Sequence, residues 1–111
     1  MKIVEPSAGE IVIEKTKSSA FAGTDLLKIL SEESCTNVVL VGFTANECID
    51  ATAKDATALG FDTFVASDAT ATFDLRDATG KLIKADRIHK LTLLNINAFS
   101  GKVLSTSEIL S

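Results

Sequence analysis

The sequence predicts one α/β domain, a three-layer α-β-α sandwich around a mostly parallel sheet, and three observations carry that prediction. Short aliphatic runs alternate with stretches of helical spacing along the 111 residues. The run Val38-Val39-Leu40-Val41 lacks the polar alternation of a half-exposed strand and suits a parallel strand buried on both faces. Gly42 follows that run, and Gly60 follows the next helical stretch, so both elements have a stop signal.

Taken in order, Pro6-Ser7-Ala8-Gly9 reads as a turn and Ile11-Val12-Ile13 as a short strand after it. Thr24 is placed to cap a helix through Leu26, Leu27, Ile29 and Leu30. Asn37 opens the aliphatic strand, and a helix is expected from about Asn46 to Leu59. Phe61 to Ala66 is the next strand. The polar stretch Ser67 to Lys81 reads as a long connection that turns at Gly80. Ile88, Leu91 and Leu94 give Ala85 to Ile96 a helical spacing, Lys102-Val103-Leu104 reads as a strand, and a capped helical tail starts at Thr106 or Ser107. The resulting β-α-β-α-β-α-β-α order implies a sheet with helices on both faces.

Composition narrows the function. With 46% hydrophobic and 23% charged residues, 1–111 fits a single domain with a moderate core. A net charge of -4 with mixed signs argues against nucleic acid or an anionic membrane as partner, and the absence of Trp and Tyr removes the usual platform for stacking bases. Small molecules and other proteins remain. No apolar run reaches the roughly 18 residues that span a bilayer, and the first residues lack a secretory pattern, so a cytoplasmic protein is expected. Cys35 and Cys48 are then reduced thiols, and His89 is the one histidine, too isolated to suggest a metal; no cofactor is implied.

In a parallel sheet, ligands sit beyond the carboxyl ends of the strands. Cys48 falls there, in the first turn of the helix after the most buried strand, where backbone N–H groups and the helix dipole favour a thiolate. Such a sulfur can attack a carbonyl while neighbouring amides hold the oxyanion. Spacing alone equally allows Cys48 to be an apolar filler on the inner face of the helix.

The residues then show a likeness. Pro6, Gly9-Glu10, Val12-Ile13, Lys15, Ser19-Ala20-Phe21, Thr24, Leu26, Val41-Gly42, Asn46, Cys48-Ile49, Ala51-Thr52-Ala53, Asp55-Ala56, Leu59-Gly60 and Asp68-Ala69 resemble the isochorismatase-like hydrolases, which include nicotinamidases. His89 and the closing Val103-Leu104-Ser105-Thr106, Glu108 and Leu110 continue the likeness, so it covers nearly the whole chain. It implies a Rossmann-like sandwich and a Cys-Lys-Asp triad whose first two members map onto Cys48 and Lys15. An ammonium beside the sulfur steadies negative charge, and a carboxylate takes the thiol proton. Lys17 lies on the same side of an extended segment as Lys15 and competes with it.

The resemblance also implies an oxyanion loop at Gly42-Phe43-Thr44-Ala45, with a non-proline cis peptide at Phe43-Thr44. Thr44 and Cys48 supply backbone N–H groups there, and Phe21, Phe43 and Asn46 are substrate contacts. Ala45 stands where the family commonly has Thr, and Glu47 where it has a neutral residue. The family's acid lies at the end of a strand upstream of the segment matching Ile11-Val12-Ile13, and the sequence begins ten residues before that segment. The expectation is therefore an N-terminally truncated domain without that acid, for which Asp68, Asp25 and Glu14 are poor substitutes. The absent strand would separate the Lys15 and Cys48 strands, so a homodimer completing the sheet is expected.

Two functions follow. One is a cysteine hydrolase acting on a small amide or enol ether through Cys48 and Lys15. The other is an inactive relic serving as an oligomeric binding or structural protein, since loss of a general base lowers turnover about 10²–10⁴-fold.

Overall fold

The structure, a computed structural model, describes residues 7–111. Pro6 lies outside the described residues, but the turn it was expected to open is closed by the Glu10 N–H donating to the Ser7 carbonyl at 3.1 Å. Helix α1 spans Leu26–Glu32, strand β1 Asn37–Phe43, helix α2 Asp50–Ala58 and strand β2 Asp62–Ala71. A small hairpin of β3, Leu75–Arg76, and β4, Leu82–Ile83, precedes helix α3, Ala85–Phe99. Strand β5, Lys102–Leu104, and helix α4, Thr106–Leu110, close the chain.

The three long-range strands form a parallel sheet in the order β1-β2-β5. Its two crossovers, through α2 and through α3, advance in the same direction, and the right-handed sense of parallel crossovers puts both helices on one face. That face holds the core: Ile49, Ala53, Val65 and Ile96 pack together, with Leu40, Leu93 and Val103 at the margin. Fully buried Ala53 and Ala56 let α2 lie close to the sheet, since a methyl group occupies little depth.

Three expectations are corrected. Ile11-Val12-Ile13 forms no ladder: it faces the start of α1 across Thr24, Asp25 and Ile29, where no strand is available to pair with it, and Ile11 and Val12 are exposed. The stretch from Ser67 is not all connection, because β2 continues to Ala71 and the hairpin follows. Small polar residues hide the strand's alternation there, while the turn from Asp77 to Lys81 holds Gly80 at φ +87°. The helix expected at Asn46 begins as a π-wound turn over Ala45–Ile49 before α2 proper. The three-layer arrangement is present, with helices on both faces and the thicker cover on the α2–α3 face. The other carries just the five-residue α4, so along β1 the side chains of Val39, Val41 and Phe43 are exposed. Thr24 does accept the Leu26 N–H at 3.3 Å, although the helix is capped at position 25.

One irregularity matters for the site. Leu40 pairs with Val65 and Gly42 with Thr70, so β2 advances five residues while β1 advances two. Ala66 to Ala69 thus stand opposite Val41 alone; Ala66 still pairs with Leu104 of β5, and the three residues after it bulge from the ladder and carry Asp68 to α4. Its Oδ1 accepts from both the N–H and the hydroxyl of Thr106 at 2.8 Å, which fixes where α4 begins. The tail begins at Thr106, the first of the two expected positions, and is capped by Ser105 through a capping box with Glu108.

Candidate active site

The carboxyl end of β1 leads directly into the π-wound turn. The Phe43-Thr44 peptide is cis, and Gly42 has φ +113°, a conformation open to glycine at little cost. The Thr44 carbonyl then accepts from the Glu47 N–H at 3.1 Å and the Ile49 N–H at 3.2 Å, which closes the turn. Ala45 and Ile49 are buried beneath it, and Cys48 is left half-buried between buried and exposed positions.

The Lys15 ammonium reaches that sulfur. Its Nζ donates to Cys48 Sγ at 3.4 Å, to the Lys17 carbonyl at 2.9 Å and to the Ser18 carbonyl at 3.2 Å. An ammonium has three hydrogens, and here each has an acceptor. The geometry distinguishes the two lysines: Lys15 presents its charge to the thiol, whereas Lys17 contributes a backbone carbonyl that helps aim it. Further links tie the same segment down. The Ala20 N–H donates to Thr52 Oγ1 at 3.0 Å, and Ser18 Oγ to Glu47 Oε1 at 3.5 Å.

The other sequence-derived residues divide. Phe43 and Asn46 stand at the mouth of this turn, and Asn46 Oδ1 accepts from the Thr72 hydroxyl just past β2. Phe21 turns elsewhere: its ring stacks on Phe61, which precedes β2, with centroids 5.9 Å apart. Thr44 lies at the turn's entrance with its carbonyl engaged as described. Phe73, unremarked in the sequence reading, packs edge-to-face on Phe43 at 6.1 Å. Its signal was a bulky apolar residue within an otherwise polar stretch. Nothing in the sequence marked the carbonyls of Lys17 and Ser18, since every residue carries one.

The remaining candidates have structural occupations. Asp68 holds α4, and the Thr106 hydroxyl, with the Thr106 N–H, keeps its carboxyl below the ordinary value. His89 lies on α3 with Nε2 3.0 Å from Thr70 Oγ1; because that hydroxyl donates to the Ala66 carbonyl, it accepts from the ring. Cys35 is exposed before β1. Among the described residues no three His, Cys, Asp or Glu side chains are grouped as a metal would require, and no helix is long and apolar enough to cross a membrane.

A half-buried cysteine on the turn after strand β1, with an anchored lysine ammonium against its sulfur, sits in an α/β fold built on a parallel sheet. The sequence matches the isochorismatase domain over residues 1–107, and the chain belongs to the isochorismatase family, a family of hydrolases. It is 36% identical over 110 residues to the isochorismatase family protein YrdC of Bacillus subtilis (strain 168), covering 99% of this chain and 59% of YrdC. It is 32% identical over 105 residues to the maleamate amidohydrolase of Pseudomonas putida, covering 95% of this chain and 44% of that enzyme. A crystal structure from Chromobacterium violaceum ATCC 12472, described as an isochorismatase-family hydrolase, superposes with a TM-score of 0.91 at 36% identity. That match covers 96% of this chain and 55% of the other. The chain thus spans about half the length of the proteins it resembles.

Proposed function

We propose that this chain carries the nucleophile and cation of a small-amide hydrolase site, with Cys48 as nucleophile and Lys15 as its electrostatic partner. The observation that supports the reading best is the 3.4 Å contact from the Lys15 ammonium to the Cys48 sulfur, made by a cation already aimed by two carbonyls. The sulfur attacks the substrate carbonyl carbon, a C–S bond forms, and the C–N bond breaks as the nitrogen leaves with a proton. Water then cleaves the thioester to give the acid and restore the thiol. The amidohydrolase among its relatives favours an amide over an enol ether as substrate.

The proton needs a carboxylate, and among the described residues none is in contact with Cys48. Glu47, its neighbour in sequence, accepts from Ser18 instead. We infer that a second copy of the chain covers the open edge of β1, and that the same fold without turnover would serve as an oligomeric binding protein. The exposed Val39, Val41 and Phe43 favour this second reading, because an uncharged apolar edge strand is adhesive.

Acylation separates the readings without requiring a carboxylate to take the proton. A p-nitrophenyl ester has a leaving group that departs unprotonated, so it acylates a competent thiolate directly. The hydrolase reading predicts that peptide mapping finds the acyl group on Cys48 in preference to exposed Cys35, and that Lys15→Met removes the preference. Equal acylation of the two cysteines would leave only the binding protein.

A further inference from the structure

We propose that Thr52 is a positioning residue: by accepting the Ala20 N–H it holds the segment that carries Lys15 against α2, and so sets how closely the ammonium meets the Cys48 sulfur. The inference rests on the hydrolase reading above, in which that meeting activates the thiol. Aim and placement of the ammonium have different sources. Lys15 takes its aim from the Lys17 and Ser18 carbonyls, which belong to its own segment and move with it. The turn that follows is likewise closed within itself. There the Ser19 carbonyl accepts the Ala22 N–H at 3.2 Å, Ser19 Oγ accepts the Phe21 N–H at 3.2 Å, and the Ala20 carbonyl accepts the Thr24 hydroxyl. None of these bonds fixes where the segment lies relative to the sulfur.

Among the described residues, two hydrogen bonds besides the Lys15–Cys48 contact join residues 15–24 to the nucleophile turn and α2. The bond from Ser18 Oγ to Glu47 Oε1 is 3.5 Å long and exposed, so water competes for both partners. The bond from the Ala20 N–H to Thr52 Oγ1 is 3.0 Å, and Thr52 is only 6% exposed. A polar group shielded from water has nothing to turn to when its partner leaves, so this bond resists being pulled apart. Thr52 also lies four residues after Cys48, about one helical turn, which puts hydroxyl and sulfur on one side of the helix. The segment therefore meets that side twice, with Lys15 at the sulfur and Ala20 a turn further on. Attraction between ammonium and thiolate weakens with distance and with intervening water, so a segment released at Ala20 would lose much of its effect on the sulfur.

Iodoacetamide labelling of Cys48, expressed as a ratio to exposed Cys35 in the same molecule, tests the role on the chain as it stands. Thr52→Val keeps the branched shape and removes the acceptor; it should lower the ratio several-fold. Thr52→Ser, which keeps the acceptor, should restore it. In a Lys15→Met background Thr52→Val should change nothing further, because no ammonium is left to place. Thr52→Ala carries the same expectations if the Thr52→Val chain loses its helical spectrum. A ratio unmoved by loss of the acceptor, a fall that Thr52→Ser does not restore, or a fall of equal size with and without Lys15 would overturn the positioning role and leave Thr52 a packing residue. Failure of the hydrolase reading looks different: Lys15→Met by itself then leaves the ratio where the wild type has it.

Discussion

At the scale of single residues, what distinguishes Lys15 is its confinement. A lysine on an exposed segment ordinarily samples many rotamers, and a charge so dispersed steadies a thiolate little. Here two backbone carbonyls hold the ammonium and leave its third hydrogen for the sulfur. That arrangement suits a compact ammonium with three diverging donors and does not suit a planar guanidinium. Lys15→Arg, which keeps the charge, should therefore lose most of any enhancement in Cys48 alkylation, measured against Cys35 at fixed pH. Full retention would show that charge alone suffices. At this scale the meeting of Lys15 with Cys48 was legible because the likeness to the family named both residue types and their order. The carbonyls aiming Lys15, and the tie between Thr72 and Asn46, depend on how separate segments fold back, which no local pattern encodes.

At the scale of elements, the five-residue α4 is too short to be stable alone and depends on how it is anchored. Asp68 accepts two bonds from its first residue, and Glu108 closes the box at Ser105. Both carboxyls are held below their ordinary values, Asp68 by the Thr106 hydroxyl and N–H, Glu108 by the Ser105 N–H and hydroxyl. A carboxyl lowered in the folded state contributes stability that is complete above its unfolded value of about 4 and fades as pH falls through the folded one. The amides of α4 should thus exchange faster as pH drops below about 4, beyond the intrinsic pH effect. Asp68→Asn should make them exchange faster at neutral pH, with little change in α2. Unaltered protection in Asp68→Asn would mean that packing alone seats α4.

The same scale shows why element types were easier to read than bounds. The aliphatic run of β1 and the spacing of α3 announce themselves, whereas β2 past Ala66 consists of small residues whose strand character comes from pairing with β1. Ile11-Val12-Ile13 failed for the converse reason: it has strand composition, but the described segment beside it is the start of α1 and not a strand. Gly101 was equally silent in the sequence. A Cβ there would meet the Thr63 carbonyl at 2.9 Å, so β5 lies against β2 only because that position has no side chain. Gly101→Ala should destabilise the fold by about 1–3 kcal/mol in urea titration, the range for overpacking; a smaller effect would mean that Thr63 yields.

For the whole molecule, the sheet is lopsided. Ile96 and Val65 are fully buried between the sheet and the α2–α3 layer, so Ile96→Ala should cost about 2–5 kcal/mol by emptying the one well-filled side. The opposite side and the β1 edge hold Val39 and Val41, 47% and 59% exposed, with no charge on the strand to discourage pairing. A second copy covering that edge predicts a dimer at micromolar concentration in light scattering, and Val41→Lys should convert it to a monomer that keeps its helical spectrum. A wild-type chain that is monomeric at that concentration would contradict the paired edge.

The central claim is that Lys15 activates Cys48, and the most direct measurement is the alkylation rate of Cys48 by iodoacetamide at neutral pH in wild type and Lys15→Met, each normalised to Cys35. The account predicts that Cys48 reacts faster than Cys35 despite its lesser exposure, and that Lys15→Met reverses the order. Cys48 reacting more slowly than Cys35 in both proteins would contradict it, leaving the sulfur an ordinary half-buried thiol.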